Sequence, residues 1–249
     1  MKRLIYLSSI LVILVLVACK ISQDSKPSLD VPSVYTKIYG ASSITSDGTF
    51  ITIKTNGIPD HKSPYYPVNN ALYEAYSGTT PLGYRFRQNP NKIAIQNFTF
   101  RIPLNPVAAK NHLATPLGAI GVALNGVALY NQYAGPNNQK LTTEIASFDN
   151  YNGHPTRINQ YHYHVEPLYL TTVKSTKSGL IGFLLDGFPI YGPEEANGIT
   201  VISSDLDVYH GHFHATVDFP KGTYHYHFTA DAPYLNGNRY YGIPGTVTQ

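Results

Sequence analysis

The chain has 249 residues, of which 43% are hydrophobic, and this is enough to form one large domain or two small ones. The formal net charge is only +3, and Lys2 and Arg3 supply part of it, so no basic patch indicates a nucleic-acid partner. Cys19 is the only cysteine, which excludes an internal disulfide.

The first 34 residues are typical of an exported protein. Lys2 and Arg3 precede a short apolar stretch that ends in Leu-Val-Ala-Cys, and this ending resembles the lipobox of bacterial lipoproteins. We therefore expect residues 1–18 to be a signal peptide and Cys19 to be lipidated; an uncleaved apolar anchor is the alternative. Residues 19–34 have the polar composition of a flexible tether. These features predict a protein held by lipid at a membrane, in the cell envelope outside the cytoplasm.

The remaining residues, 35–249, carry short apolar or alternating runs broken by Gly, Pro, Asn and Asp. Asp47-Gly48 lies between Ile44 and the alternating run Phe50 to Ile53, which predicts a β-hairpin. The 21 tyrosines, 20 glycines and 18 prolines favour strands and turns over helices. We predict one all-β domain, a sandwich or barrel, over residues 35–249.

Three sequence blocks occur twice, in the same order. They are GAIGVALNGVALYN (118–131) with GLIGFLLDGFPIYG (179–192), Asp-x-Tyr-x-Gly-His (149–154 and 207–212), and Tyr-His-Tyr-His (161–164 and 224–227). Two copies are too few for a solenoid. The pattern instead predicts an internal duplication, with copies at about 118–170 and 179–235 packed around a pseudo-two-fold axis.

The repeated blocks place histidines together. In a strand, the two histidines of Tyr-His-Tyr-His share one face, about 7 Å apart at their Cα atoms, and the tyrosines share the other. The histidine of Asp-x-Tyr-x-Gly-His adds a third imidazole to each copy. The candidate residues are Asp149, His154, His162 and His164 in the first copy and Asp207, His212, His225 and His227 in the second.

Imidazoles in this arrangement are typical ligands of a transition-metal ion. Three nitrogens with an open position suit catalytic zinc, and two histidines with a carboxylate suit non-haem iron. Cys19 and Met1 are the only sulfur residues, which disfavours Cu(I) and leaves Zn, Fe, Mn or Cu(II). We predict metal binding by all six histidines, with Asp149 and Asp207 as accessory groups that orient the imidazoles. Whether the copies form two sites or one shared site stays open.

Other interpretations of the histidines are a half-buried strand whose imidazoles face water, or a groove that binds ligands without metal. His210 and His214 flank His212 and are taken as solvated or accessory. If a metal is bound, activation of water for hydrolysis of a small envelope substrate is the expected chemistry; no catalytic residue is assigned. The alternative function is a metal-free module that binds a glycan, a peptide or a partner protein. Imidazole tips within about 5 Å of a common point would favour metal.

These blocks together resemble the YHYH-domain family of exported, largely bacterial proteins. The resemblance extends from about Ile44 to Gly242 and includes Asn-Gly-Ile-Pro-Asp-His61 and Asp-Gly-Phe-Pro-Ile-Tyr-Gly-Pro193. It implies a shared fold and site, but no reaction, because the activity of the family is undefined. It also adds His61 as an accessory site residue.

The resemblance includes one departure. Similar sequences tend to carry cysteines at four positions that are tyrosines here: Tyr151, Tyr169, Tyr209 and Tyr240. The disulfides that the resemblance implies are therefore replaced in this chain, and we expect packing of tyrosine rings in their place.

Overall fold

The computed structural model describes residues 29–249. The predicted signal peptide, Cys19 and the first part of the predicted tether therefore lie outside the described residues. Within residues 29–249, no helix combines the length and apolar character that crossing a bilayer requires.

The described part of the chain is built mainly from strands. They are β1 Ala41–Ser46, β2 Phe50–Thr55, β3 Phe98–Pro103, β4 Ala119–Ala123, β5 Ala128–Tyr130, β6 Gly153–Pro155, β7 Tyr161–Tyr163, β8 Leu180–Leu184, β9 Pro189–Tyr191, β10 Gly211–His214, β11 Thr223–His227 and β12 Thr246–Thr248. They form a four-stranded sheet in the order β1-β2-β3-β12 and an eight-stranded sheet in the order β10-β11-β9-β8-β4-β5-β7-β6. The predicted all-β, sandwich-like fold is confirmed, and so is the hairpin between β1 and β2.

The helical segments are short and lie in the connections. They are α1 Ser33–Thr36, the 3-10 turns Pro136–Asn138, Leu141–Thr143, Ile145–Ser147 and Ser203–Asp205, and the π-helical turn Leu170–Lys174. Three of the 3-10 turns lie in the loop between β5 and β6 that flanks the histidines described below. Because these helical segments are short, the strands rather than the helices determine where the histidines lie.

The eight-stranded sheet consists of two corresponding halves, which run β6-β7-β5-β4 from one edge and β10-β11-β9-β8 from the other. At the centre of the sheet β4 pairs antiparallel with β8. On either side, β5 pairs with β4 after the Asn125-Gly126 turn, and β9 pairs with β8 after the Asp186-Gly187 turn. The next pairing, of β5 with β7 and of β9 with β11, is parallel on both sides. The registers also correspond, because Leu129 lies beside Tyr163 and Ile190 beside Tyr226. This symmetry is what an internal duplication would produce; the duplication itself stays a prediction.

One buried cluster lies between the two sheets. The four-stranded sheet contributes the alternating residues of β2 and β3, including Ile51, Phe98 and Phe100, all fully buried. The eight-stranded sheet contributes Tyr163 and Tyr226 of the repeated tetrapeptides to the same cluster. The tyrosines are therefore the packing face, as strand alternation predicts, and the histidines lie on the opposite face.

Candidate metal sites

Two separate groups of ligand-type side chains form on the face of the eight-stranded sheet that carries the histidines. Cluster 1 consists of Glu144, His154, His162 and His164, and cluster 2 consists of Glu195, His212, His225 and His227. In each cluster one nitrogen or oxygen atom per residue lies within 4.8 Å of the corresponding atom of every other member. The structure thus answers the question that the sequence leaves open, because each copy forms its own cluster.

In cluster 1 the imidazoles meet at their Nε2 atoms. The Nε2 atom of His162 lies 2.9 Å from that of His164 and 3.1 Å from that of His154. The Oε2 atom of Glu144 lies 3.5 Å from the Nε2 atom of His154 and 3.6 Å from that of His164. Nitrogen ligands about 2.1 Å from a tetrahedral ion stand about 3.4 Å apart, so these four atoms have the spacing of a ligand set.

Cluster 2 repeats the arrangement with the second copy. The Nε2 atom of His212 lies 3.1 Å from those of His225 and His227. The Oε1 atom of Glu195 lies 3.0 Å from the Nε2 atom of His212 and 3.7 Å from that of His227. The same donor set of three nitrogens and one carboxylate oxygen results.

The Nδ1 atoms of the strand histidines fix the orientation of their rings. His162 Nδ1 lies 3.2 Å from the carbonyl oxygen of Gln160, and His225 Nδ1 lies 3.1 Å from that of Thr223. A carbonyl oxygen only accepts, so each Nδ1 carries the proton and donates it. Each Nε2 atom therefore presents a lone pair to its cluster, which is the tautomer a metal ligand needs.

The second histidine of each tetrapeptide is fixed in the same way by the residue that follows the neighbouring strand. His164 Nδ1 donates to the carbonyl oxygen of Asn131 at 2.5 Å, and His227 Nδ1 donates to that of Gly192 at 2.7 Å. Asn131 and Gly192 end the matching blocks of the two copies. The strand pairing that builds the sheet thus also orients the rings.

Burial keeps the imidazoles uncharged. It lowers the pKa of His164 to about 4, that of His225 to about 3 and that of His227 to about 4. Burial first, and then the neighbouring imidazoles, also lower the pKa values of His154 and His162 well below the usual value. The interpretation in which the strand histidines face water is wrong, since these rings are buried and neutral at pH 7.

The carboxylates of the clusters belong to Glu144 and Glu195, which the sequence did not single out. Burial raises the pKa of Glu144 to about 7. Each glutamate comes from the loop that leads to the first histidine strand of its copy, between β5 and β6 or between β9 and β10. They occupy different positions in those loops, five residues before Asp149 in one copy and twelve before Asp207 in the other, so comparing the copies gives no signal.

Asp149 and Asp207 hold the chain around the clusters rather than the imidazoles. Asp149 Oδ2 accepts a hydrogen bond from the Tyr161 hydroxyl at 2.8 Å, and Asp207 Oδ1 accepts one from Tyr224 at 2.9 Å. Both aspartates also accept hydrogen bonds from backbone N–H groups of their own motif. Within the described residues neither is hydrogen-bonded to an imidazole, so their effect on the clusters is through the backbone.

The glycine of the Asp-x-Tyr-x-Gly-His motif has a steric role. A Cβ atom at Gly153 would lie 2.3 Å from the ring of Tyr161, and one at Gly211 would lie 2.5 Å from the hydroxyl of Tyr224. No side chain fits there, because the first tyrosine of the tetrapeptide crosses over the glycine to reach its aspartate. The motif and the tetrapeptide therefore form one unit that places the third histidine beside the other two.

His61 lies on the tyrosine face, away from both clusters. Its Nδ1 donates to the carbonyl oxygen of Lys62, and its Nε2 accepts from the Tyr163 hydroxyl at 2.9 Å. The ring packs against Tyr151 and Tyr169, with centroids 4.4 and 5.2 Å away. The structure therefore does not bring His61 together with the candidate histidines of either cluster.

The two histidines that flank His212 differ from each other. His210 is buried and its Nε2 lies 3.0 Å from the Thr229 hydroxyl, so it is not solvated. His214 is exposed at the edge of cluster 2, with its Nδ1 atom 3.3 Å from Glu195 Oε1 and its ring 4.2 Å from that of His212. His214 is thus an additional imidazole next to cluster 2.

The tyrosines that stand where similar sequences carry cysteines pack in part as expected. Tyr151 and Tyr169 form an edge-to-face pair with centroids 5.2 Å apart. Tyr209 instead packs against His112 at 4.2 Å and Tyr241 at 5.8 Å. Ring packing thus joins the first pair of positions directly, whereas Tyr209 packs against rings other than that of Tyr240.

A family model described as YHYH protein matches residues 99–200 and 194–240, which together span more than half of the chain. No curated protein and no solved structure matched the chain. The matched residues contain every member of both clusters, whereas His61 lies before them. The resemblance inferred from the repeated motifs is confirmed.

Proposed function

The chain belongs to the YHYH family, and we propose that it is a metal-binding protein that holds one transition-metal ion in each histidine cluster. Zn, Fe, Mn and Cu(II) all accept imidazole and carboxylate ligands. The donor set of three nitrogens and one carboxylate oxygen contains no sulfur, which does not favour Cu(I).

The observation that carries this proposal is the meeting of three Nε2 atoms in each cluster, two of which present lone pairs. The Nδ1 protons of the four histidines in the two tetrapeptides are donated to carbonyl oxygens, so their Nε2 atoms have no proton to share. Lone pairs 2.9 Å apart, as between His162 and His164, repel each other. A cation between them turns this repulsion into attraction, and it also offsets the cost of burying the polar nitrogens.

Cluster 1 is where we place hydrolytic chemistry. A bound ion there would supply a Lewis acid that lowers the pKa of water and polarises a substrate. His154, His162 and His164 would hold the ion, and Glu144 would complete the set or accept a proton from water. Fe and Mn take more than four ligands, so the four protein ligands leave positions for water and substrate.

The cellular place of the protein follows from its first residues. Cys19, after the apolar stretch, would carry lipid, and residues 1–18 would direct export. We therefore place both clusters in the cell envelope, outside the cytoplasm, with the membrane as the partner through the lipid. The protein would bind a small molecule, a glycan or a protein partner in the cell envelope.

The alternative of a metal-free binding module has less support. It requires imidazoles spread along a groove, with their nitrogens free to bond a ligand. Instead the ligand atoms of each cluster all lie within 4.8 Å of one another, so the imidazole tips converge within about 5 Å of a common point, as metal binding requires.

Elemental analysis of the purified full chain tests the proposal. We expect two equivalents of a transition metal per chain, and almost none in the double variant His162→Ala with His225→Ala. His112→Ala is the matched control, because His112 lies outside both clusters. Less than about a tenth of an equivalent in the wild type would defeat the proposal, as would equal metal content in the double variant.

A further inference from the structure

A large cleft opens in front of cluster 1. Its volume is about 940 Å³, and His154, His162, His164 and Glu144 form part of its wall. This is the size of a site for a small organic molecule. Any ligand in the cleft would therefore lie beside the ion that we assign to cluster 1.

The lining of the cleft also includes three arginines: Arg85, Arg87 and Arg157. The chain has five arginines within residues 29–249, so the cleft holds most of them. Within those residues none of the three guanidinium groups has an ion-pair or hydrogen-bond partner, whereas Arg101 pairs with Asp47. Glu144 is the only carboxylate in the lining. The cleft is thus positive, since three arginines in its lining face one carboxylate, in a chain whose formal net charge is only +3.

The backbone holds these arginines next to cluster 1. The N–H group of Arg87 donates to the carbonyl oxygen of Ala146 at 2.7 Å, two residues after Glu144. Arg157 follows β6, three residues after His154. Guanidinium groups bind phosphate and carboxylate oxygens through paired N–H donors. Tyr84, Tyr130 and Tyr133 also line the cleft and offer flat surfaces for a ring.

We propose that this arginine cleft binds the oxyanion of a ring-bearing organic phosphate or carboxylate, with the rest of the molecule directed to cluster 1. The proposal deepens the proposed function and rests on it for the placement of the reacting end. Cluster 2 offers a contrast, because its cleft is about 320 Å³ and contains no arginine. The cation there that could bind an anion, Lys37, is already paired with Asp218.

Calorimetric titration of the full chain tests the cleft. The probes are phenyl phosphate, benzoate and the neutral phenol, and metal content is measured in the same samples. The test variants are Arg87→Gln and Arg157→Gln, and Arg101→Gln is the matched control outside the cleft. We expect one or both acidic probes to bind, each test variant to weaken binding about tenfold or more, and the control to bind as the wild type does.

The outcomes separate this proposal from the metal proposal. Weaker binding of phenyl phosphate alone would identify phosphate as the anion, and weaker binding of benzoate alone would identify carboxylate. Equal binding by all variants, or no binding of either acid by a chain that holds metal, would overturn the arginine cleft. Arginine-dependent binding by a chain that holds no metal would support the cleft and overturn the metal sites.

Discussion

Clusters 1 and 2 each contain three histidines in the same arrangement, but their surroundings differ. Matching strands supply three imidazoles to each, and matching backbone carbonyls orient the rings. The loops make the difference: cluster 1 faces a wide cleft lined by three arginines, whereas cluster 2 faces a small one and has His214 beside it. The strands thus form each candidate metal site, and the loops determine what can approach it.

Acid should destabilise the metal-free protein, and more strongly through cluster 1, whose three imidazoles are all buried. The folded-state pKa of His164 is about 4, below the usual 6.5, so the unfolded chain binds protons first as the pH falls. Stability is therefore complete above about pH 6.5 and decreases toward pH 4, by about 3 kcal/mol from His164 alone. Urea unfolding with a chelator at a series of pH values measures this.

The variants His164→Asn and His227→Asn test how much each cluster contributes to this acid destabilisation, because each removes one buried imidazole. Each should reduce the loss of stability on acidification, because the protonation of that imidazole no longer opposes folding. A wild-type stability that stays constant from pH 7 to pH 4 would contradict the burial of neutral histidines in both clusters.

The glutamates should differ in importance. Glu144→Gln leaves cluster 1 with three imidazoles, and we expect metal affinity to fall about a hundredfold. Glu195→Gln should cost only about tenfold, because His214 lies close enough to replace the lost carboxylate. Competition with a chelator measures both, with Glu144→Gln placed in a His225→Ala background and Glu195→Gln in a His162→Ala background. Equal losses, or no further loss when His214→Ala is added to Glu195→Gln, would show that His214 takes no part.

Substitution of the buried tyrosines on the packing face should have the smallest effect. Tyr226→Phe removes a 2.6 Å hydrogen bond to the buried carboxylate of Asp186 and should lower the free energy of unfolding by about 1.5–3 kcal/mol. Tyr163→Phe removes neutral hydrogen bonds to His61 and Asn125 and should cost about 0.5–1.5 kcal/mol. Urea unfolding at pH 8 measures both, since burial raises the pKa of Asp186 to about 6. A larger loss of unfolding free energy in Tyr163→Phe than in Tyr226→Phe would contradict this order.

Much of the site could be predicted from the sequence, because strand alternation is a local property. The period of two in Tyr-His-Tyr-His places His162 and His164 on one face and buries Tyr161 and Tyr163 on the other. The all-β fold follows from the same alternation and from the turn residues. The third histidine was found because its motif recurs before the tetrapeptide in both copies.

The rest depends on loops, whose paths local patterns do not fix. Glu144 and Glu195 reach equivalent places in the two clusters from different positions in their loops. Arg85 and Arg87 come from the largely irregular segment between β2 and β3, which has no counterpart in the repeat. The repeated motif predicts that Asp149 and Asp207 orient the imidazoles, whereas in the structure they accept hydrogen bonds from tyrosine hydroxyls and backbone N–H groups.

Anomalous X-ray scattering from crystals of the full chain, recorded at the absorption edge of the metal found by elemental analysis, tests the central claim most directly. The account predicts two peaks per chain, one about 2.1 Å from the Nε2 atoms of His154, His162 and His164 and one placed likewise in cluster 2. Imidazoles that keep the same positions with no anomalous peak among them, in a metal-replete crystal, would contradict it.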